Sequence, residues 1–545
     1  MKTYTIGIDF GTLSGRCVVV DCRDGREVAE SVCLYPHGVM DETLPGGEVL
    51  PPLYALQHPE DYLQVVRTTV REALQKAGIT PEQVAGVGID FTACTLMPVD
   101  ASGTPLCLRP EYVSHPHAFV KLWKHHAAQA EADELNDLAS RRGEEWLQAY
   151  GGRVSSEWAL PKILEILREA PKVYNETARF MEAADWLVSK LVGQEIHSKS
   201  FAGYKALYYK NTYPSNDFMV ALDKGLDGIV GTKLSEKIAD FSAPAGVLSQ
   251  EGAELTGLEI GTPVAVPQID AHAAMPALGI TDAGELMLIM GTSACHLVNA
   301  RSGKNVSGIC GHVADGVIPG LDTYEAGQAA VGDIFDWFVK NCVPARYACE
   351  AEERGISLHT LLTEKAEKLA VGETGLVALD WMNGNRSVLD DSQLSGLMLG
   401  LTLRTKPEEI YRALLEAAAF GTKMIMDTLA KSQVPITGVT VAGGIANKNA
   451  LLMQIYADVL NREIRVCQST QAGALGSAIY AAVAAGVYPG FREAAEAMAA
   501  PATKRYVPNG ENHKAYAKLY EEYVLLHNYF GRGGNDVMKR IFPKD

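Results

Sequence analysis

The chain opens on a short apolar run broken by polar punctuation. Residues 3–9 read as a buried strand that enters a Gly11-Thr12 turn, and residues 17–21 read as a second strand. Asp24-Gly25 follows, a pair that tolerates the positive backbone angles of a tight hairpin, so residues 27–35 return as a third strand. The apolar spacing then changes. Over residues 58–77, Tyr62, Val65, Val66, Val70, Ala73, Leu74 and Ala77 fall on one side of a helix. Residues 84–90 form a continuous apolar strand that ends in a carboxylate, Asp90. Hairpin, strand, helix and strand in this order predict an α/β architecture.

Residues 117–245 are helix-rich, less regular and dense in Trp, Tyr and His, which suits insertions around a cleft. Residues 262–267 are predicted as a strand, with Asp270 opening the next helix. A second meander then starts: strand 285–290, turn Gly291-Thr292-Ser293, strand 294–299. Helix 407–429, strand 438–442, helix 449–460, strand 463–467 and helix 472–485 follow, and the tail from Glu511 is a packing helix. The same hairpin-plus-helix unit thus occurs twice. Two domains are expected, 1–280 with insertions at about 100–245, and 281–545.

With 545 residues, 47% hydrophobic and 21% charged, the chain can bury more than one core. The net charge of -17 disfavours nucleic acid and anionic membranes as partners. No run of about 18 apolar residues suggests a membrane helix, and Asp9 interrupts the first apolar stretch too early for a signal peptide. Ten cysteines without a Cys-x-x-Cys pair or zinc-ligand spacing fit reduced thiols in the cytoplasm.

Three short motifs carry chemistry. In Gly7–Arg16, small residues and hydroxyls at a strand turn let backbone N–H groups approach a polyphosphate. The candidates there are Gly11, Thr12, Ser14 and Arg16, and Asp9 is placed to hold Mg²⁺, with water in between. Gly291 and Thr292 repeat the strand–Gly-Thr–strand pattern, so one turn would serve the β-phosphate side and the other the γ-phosphate side. At residues 439–447, Gly443 and Gly444 allow a flat adenine ring against the backbone, and Asn447 can hydrogen-bond the base or ribose. Asp270 fits a helix N-cap as well as a general base. Lys205, in the apparent small-residue turn 202–206, and Glu325, in a Gly-rich stretch, read equally as salt-bridging residues or as contacts to a polar substrate. Trp158 reads as a core residue or a cleft wall.

Asp-x-Gly-Thr at residue 9, Gly-Thr-Ser at 291 and Ala-Gly-Gly at 442 resemble the two phosphate motifs and the adenosine motif of the actin/hexokinase/Hsp70 superfamily. Gly396–Leu401, with Glu409-Ile410 and Glu416-Ala417, resembles a signature of its FGGY carbohydrate kinase branch. The resemblance implies two actin-like (ribonuclease H-like) ATPase domains, a duplicated ββαβαβα-type core and a deep interdomain cleft. It also implies ATP and Mg²⁺ as cofactors and a small sugar as substrate, and it supports Asp270 as the base. Segments 52–62, 89–100, 122–124, 152–163 and 381–386 resemble the ribulose-phosphorylating branch. Phe91-Thr92-Ala93-Cys94 stands where glycerol- and xylulose-phosphorylating relatives carry a Gln-His-Gly type loop. The implied reaction is phosphorylation of a ketopentose, L-ribulose, at O5 in L-arabinose catabolism, with Ala93, Lys205, Asp270 and Glu325 at the sugar. D-ribulose or xylulose as acceptor, and an Hsp70- or actin-like switch ATPase, are the alternatives; a homodimer is an assembly the sequence leaves open.

Overall fold

The computed structural model describes residues 3–467 and 471–542. These fall into two compact units. The first comprises residues 3–282, 312–323 and 471–500; the second comprises 283–311, 324–467 and 501–542. Segments 312–323 and 471–500 thus pack with the first unit.

The first unit is built on the strands Glu27–Leu34, Ser14–Asp21, Tyr4–Phe10 and Val84–Phe91, in that order across the sheet. The first three form an antiparallel meander. Val84–Phe91 joins parallel to Tyr4–Phe10 and is buried at every position, as a strand covered on both faces must be. Helix Pro59–Ala77 connects them, with Pro59 at its start, the acidic Glu60 and Asp61 in its first turn and Gly78 in the left-handed conformation at its end.

The predicted strand 262–267 is instead two short pieces, Pro263–Val264 and Gln268–Ile269, each parallel to Val84–Phe91. Pro263 and Pro267 have no N–H to donate, so a continuous ladder cannot form there.

Helix Ala472–Ala484 explains why segment 471–500 belongs to the first unit. It lies against Tyr4–Phe10 and Val84–Phe91 at backbone-to-backbone distance. A Cβ on Gly7 would meet the Ala474 carbonyl oxygen at 1.8 Å, and one on Gly88 would meet that of Ser477 at 1.9 Å. Only glycine fits at these two strand positions.

The second unit repeats the plan. Ala294–Ala300 pairs antiparallel with Glu285–Met290, and Gly438–Ala442 runs parallel to the latter. Ile464–Cys467 and the antiparallel Ala502–Tyr506 extend the sheet. The 25-residue helix Pro407–Lys431 crosses this unit, and its buried Arg412 is satisfied by Glu416 and by the Tyr516 hydroxyl of the tail helix Gly510–Gly531. Among the described residues no helix is long and apolar enough to cross a membrane, and no disulfide joins the ten cysteines.

Candidate functional site

In the first unit, strand register assembles a row of charge. Asp9 pairs with Arg16 on one side and with Asp90 on the other. Residues opposite one another in register project from the same face, so the three side chains share it. Gln268 is in register with Asp90, and two residues later Asp270 takes the first position of helix Asp270–Ala277. Asp9, Asp90 and Asp270 therefore lie at the carboxyl ends of neighbouring parallel strands, where ligands of open α/β sheets bind.

Asp90 has no exposed surface. The Ser477 hydroxyl donates to its Oδ2 at 2.6 Å, while Oδ1 is buried without a hydrogen-bond partner. Burial, with Asp9 and Asp270 nearby, holds its carboxyl well above the usual carboxylate range. A Cβ on Gly473 would lie 3.1 Å from Asp90 Oδ1 and 3.5 Å from the Asp9 carboxyl carbon, so the start of helix Ala472–Ala484 closes over the pair.

The Gly11-Thr12 turn belongs to a three-residue connection, Gly11-Thr12-Leu13, between Tyr4–Phe10 and Ser14–Asp21. The Gly11 N–H closes the turn on the Ser14 carbonyl at 3.0 Å. Both turn carbonyls are held from behind: Gly11 O by the Tyr35 hydroxyl at 2.9 Å and Thr12 O by Gln57 Nε2 at 2.7 Å. Arg16 lies 3.8 Å from Glu30.

Lys205 is not in a turn. It ends the helix Lys199–Lys205, capped at its start by the Ser198 hydroxyl. That helix packs against Gln268–Ile269, and Tyr204 stacks obliquely on His272 with ring centroids 4.4 Å apart, which brings Lys205 into the neighbourhood of Asp270. Its ammonium stands 5.6 Å from the Trp158 ring centroid, a cation–π distance. Trp158 is a core residue, edge-on to Tyr150.

The Ala93-Cys94 loop lies in the same region. Burial pushes the Cys94 thiol far up, and the ammonium groups of Lys205 and Lys162 act against that shift. Glu182 receives the Thr95 N–H at 2.7 Å. Burial pushes its pKa up to about 7, opposed first by Lys162, then by that hydrogen bond and by Lys205.

The second unit has a cavity of about 860 Å³ of its own. Its floor includes Gly291, Thr292 and Gly444; Phe335, His359 and Tyr411 give it aromatic walls. The Gly291 N–H closes its turn on Ser293 O at 2.9 Å, one residue tighter than the Gly11–Ser14 bond of the first unit. Val331 N–H donates to Thr292 O at 2.7 Å and launches helix Gly332–Asn341 beside the turn. Gly443 adopts φ 112°, and a Cβ there would meet Met290 O at 2.1 Å; Gly444 faces open space. Asn447 does not line the cavity: its Nδ2 donates to Gly443 O at 3.2 Å and, more weakly, to Cys467 O at 3.4 Å. Glu325 lies in the strand Asp322–Gln328, and its carbonyl accepts from Cys310 N–H at 2.8 Å.

Residues 4–277 match the N-terminal domain model of the FGGY family of carbohydrate kinases, and residues 286–485 match its C-terminal domain model. The chain belongs to the FGGY family of carbohydrate kinases. A ribulokinase of Geobacillus thermodenitrificans is 53% identical over 546 residues, covering 99% of this chain and 97% of that protein. A ribulokinase of Mycolicibacterium smegmatis is 50% identical, covering 99% and 96%. The solved xylulose kinase of Rhodospirillum rubrum superposes with a TM-score of 0.80 at 23% identity, covering 96% of this chain and 98% of that one. Glycerol kinase of Plasmodium falciparum with ADP gives 0.76 at 17%, covering 96% and 98%. The fold is that of the two-domain FGGY kinases, and the chain is a phosphotransferase of this class.

Strand register thus puts Asp9, Arg16 and Asp90 on one face of the first unit's sheet with Asp270 at a neighbouring strand end, and Gly291, Thr292 and Gly444 line the second unit's cavity. Sequence reasoning left Asp90 out of the site, although it had noted the strand ending in a carboxylate. Ser477 and Gly473 carried no usable signal, because their helix lies almost 400 residues from Asp90 along the chain.

Proposed function

We propose that this chain is a cytoplasmic ATP-dependent kinase that transfers the γ-phosphoryl group to O5 of L-ribulose, in the catabolism of L-arabinose. Ribulokinases about half identical over nearly the whole chain are the strongest support. The carboxylates on neighbouring strand ends are the feature that carries the chemistry.

Asp270 accepts the hydrogen bond of the sugar hydroxyl and orients its oxygen. As the first residue of a helix, its carboxylate is favoured by the positive end of the helix. A carboxylate is a weak base for an alcohol, so it takes the proton late, once attack on phosphorus is under way. Its Oδ1 accepts from its neighbour's N–H, Ala271 N, at 2.6 Å, which fixes the carboxyl plane. Lys205, held over Trp158, donates to sugar oxygens, and Glu325 accepts from sugar hydroxyls. The backbone at Ala93 closes one end. Backbone of the Gly11-Thr12 and Gly291-Thr292 turns binds phosphate oxygens, and the cavity of the second unit takes the nucleoside. Ser14 and Arg16 serve the phosphates from the first hairpin.

The donor set fits Mg²⁺. Asp9 offers an oxygen ligand at a strand end, in register with Arg16 and beside the buried Asp90, of the kind magnesium takes through its water shell. Bound there, the ion supplies charge neutralisation on the phosphates. Asp9 would hold it, and Asp90 would keep Asp9 in place.

A second reading, that other ketopentoses are also accepted, rests on chemistry: pentuloses differ only in hydroxyl configuration. The test is a coupled ADP-release assay over a panel of pentuloses and polyols. The expected result is turnover with L-ribulose and none with glycerol. ADP release indifferent to added sugar would return the chain to the switch-ATPase alternative.

A further inference from the structure

The segments 89–100, 122–124 and 152–163 stood out in the sequence, yet the site above uses little of them. One buried side chain ties them together. Lys162 has no exposed surface. Its ammonium donates to Cys94 O at 2.7 Å, to Leu122 O at 2.8 Å and, more weakly, to Lys121 O at 3.4 Å. An ammonium has three protons, and three carbonyls take them. Among the described residues no carboxylate lies within ion-pairing distance, so Lys162 is a charge held in the core by backbone oxygens alone. Burial lowers its pKa. Burying such a charge is costly, and it persists where its geometry has a use.

The two stronger bonds join two working parts. Cys94 belongs to the loop assigned to the sugar, and it takes a left-handed conformation, φ 58°, that a non-glycine residue adopts only when held. Leu122 precedes Trp123, whose indole N–H donates to Thr12 Oγ1 at 3.2 Å. Leu122 is further fixed by its own N–H on Ala55 O at 2.9 Å. Thr12 is thus held twice, its hydroxyl by Trp123 and its carbonyl by Gln57, which Tyr62 pins in turn at 2.7 Å.

We propose that Lys162 is a positioning residue that sets the sugar loop and the phosphate turn in one fixed relation, reaching the turn through Trp123. This rests on the assignment of Thr12 to phosphate and of the Ala93-Cys94 loop to sugar. The strut makes sugar selection and phosphate placement depend on one buried group.

The test is steady-state kinetics with L-ribulose, D-ribulose and ATP on the full-length chain, alongside melting curves. Trp123→Phe keeps an aromatic side chain, though a smaller one, and removes the N–H. It should lower kcat/KM for ATP roughly five- to tenfold, the scale of one lost hydrogen bond, while the sugar KM stays within about twofold. Lys162→Met should raise the sugar KM, change the L- to D-ribulose preference and lower kcat/KM for ATP. Its effect on ATP should largely vanish in the Trp123→Phe background, because both act on one contact. Lys162→Arg should not rescue, since a planar fork does not match carbonyls converging on a point.

If Lys162→Met does not fold, Trp123→Phe and Lys162→Arg decide the matter. Wild-type constants in Trp123→Phe, full rescue by Lys162→Arg, or additive effects in the double variant would overturn the proposal. A wild-type protein that phosphorylates no sugar would instead sink the functional assignment.

Discussion

Asp9 and Asp90 stand opposite each other in register on adjoining parallel strands, under the backbone of Gly473. Two carboxyl groups this close, one without solvent contact, cannot both ionise cheaply. Asp90 is therefore the proton holder, and Ser477 fixes its other oxygen.

That assignment predicts a pH-dependent stability. A carboxyl with a raised folded-state pKa carries no penalty below its usual value of 3.8, where both states are protonated. Above it, the unfolded chain releases a proton that the folded chain keeps. Stability is then lost as pH rises, at about 1.4 kcal/mol per pH unit, until the raised value is reached. Asp90→Asn removes this slope. Melting curves of the metal-free protein should show the variant gaining on the wild type from pH 4 to pH 7. A constant difference would mean that Asp90 is ionised throughout.

The elements that the sequence revealed are those set by local signals. Helix Pro59–Ala77 has proline, acidic and glycine punctuation, and the Asp24-Gly25 turn has its own chemistry. Resemblance decides for Asp270 between N-cap and base, and Lys205 is read from its small-residue stretch; the structure supplies what both omit. Lys205 ends a helix rather than a turn, because Ser198 caps a seven-residue segment whose small residues, Ala202 and Gly203, had suggested a loop. Helix Ala472–Ala484 was legible as a helix. Its place in the first unit was not, since what seats it is the absence of side chains at Gly7 and Gly88.

Asp270→Ala should reduce sugar phosphorylation by about 10²-fold or more, the scale of a lost acid–base and orienting group. ADP affinity should remain within about threefold, because the nucleoside cavity belongs to the second unit. Rapid-quench turnover and ADP titration measure the two. Retained turnover would remove Asp270 from the base role, and joint loss of turnover and ADP binding would point to misfolding.

Lys205→Met keeps the aliphatic stem over Trp158 and removes the charge. A charge-assisted hydrogen bond to a neutral hydroxyl is worth about 1.5–3 kcal/mol, so the sugar KM should rise roughly ten- to a hundredfold. The ATP KM should stay near its original value. An unchanged sugar KM would exclude direct contact.

Gly443 and Gly444 are adjacent and chemically identical, yet their substitution by alanine should fail in different ways. Gly443 has φ 112° and ψ 162°, a region nearly closed to other residues, and its Cβ would meet Met290 O at 2.1 Å. Strain there is on the order of 1–3 kcal/mol before the clash is relieved. Relief means moving the end of strand Glu285–Met290, which leads into the Gly291-Thr292 turn. Gly443→Ala should therefore lower the melting temperature and weaken ATP binding together. Gly444 has a negative φ and nothing within 4 Å of its Cβ position, so Gly444→Ala should fold with an unchanged melting temperature. Its methyl would project into space bordering the 860 Å³ cavity. If the nucleoside lies there, the ATP KM rises alone. Equal melting temperatures and equal ATP constants for wild type and Gly444→Ala would place the nucleotide away from this turn.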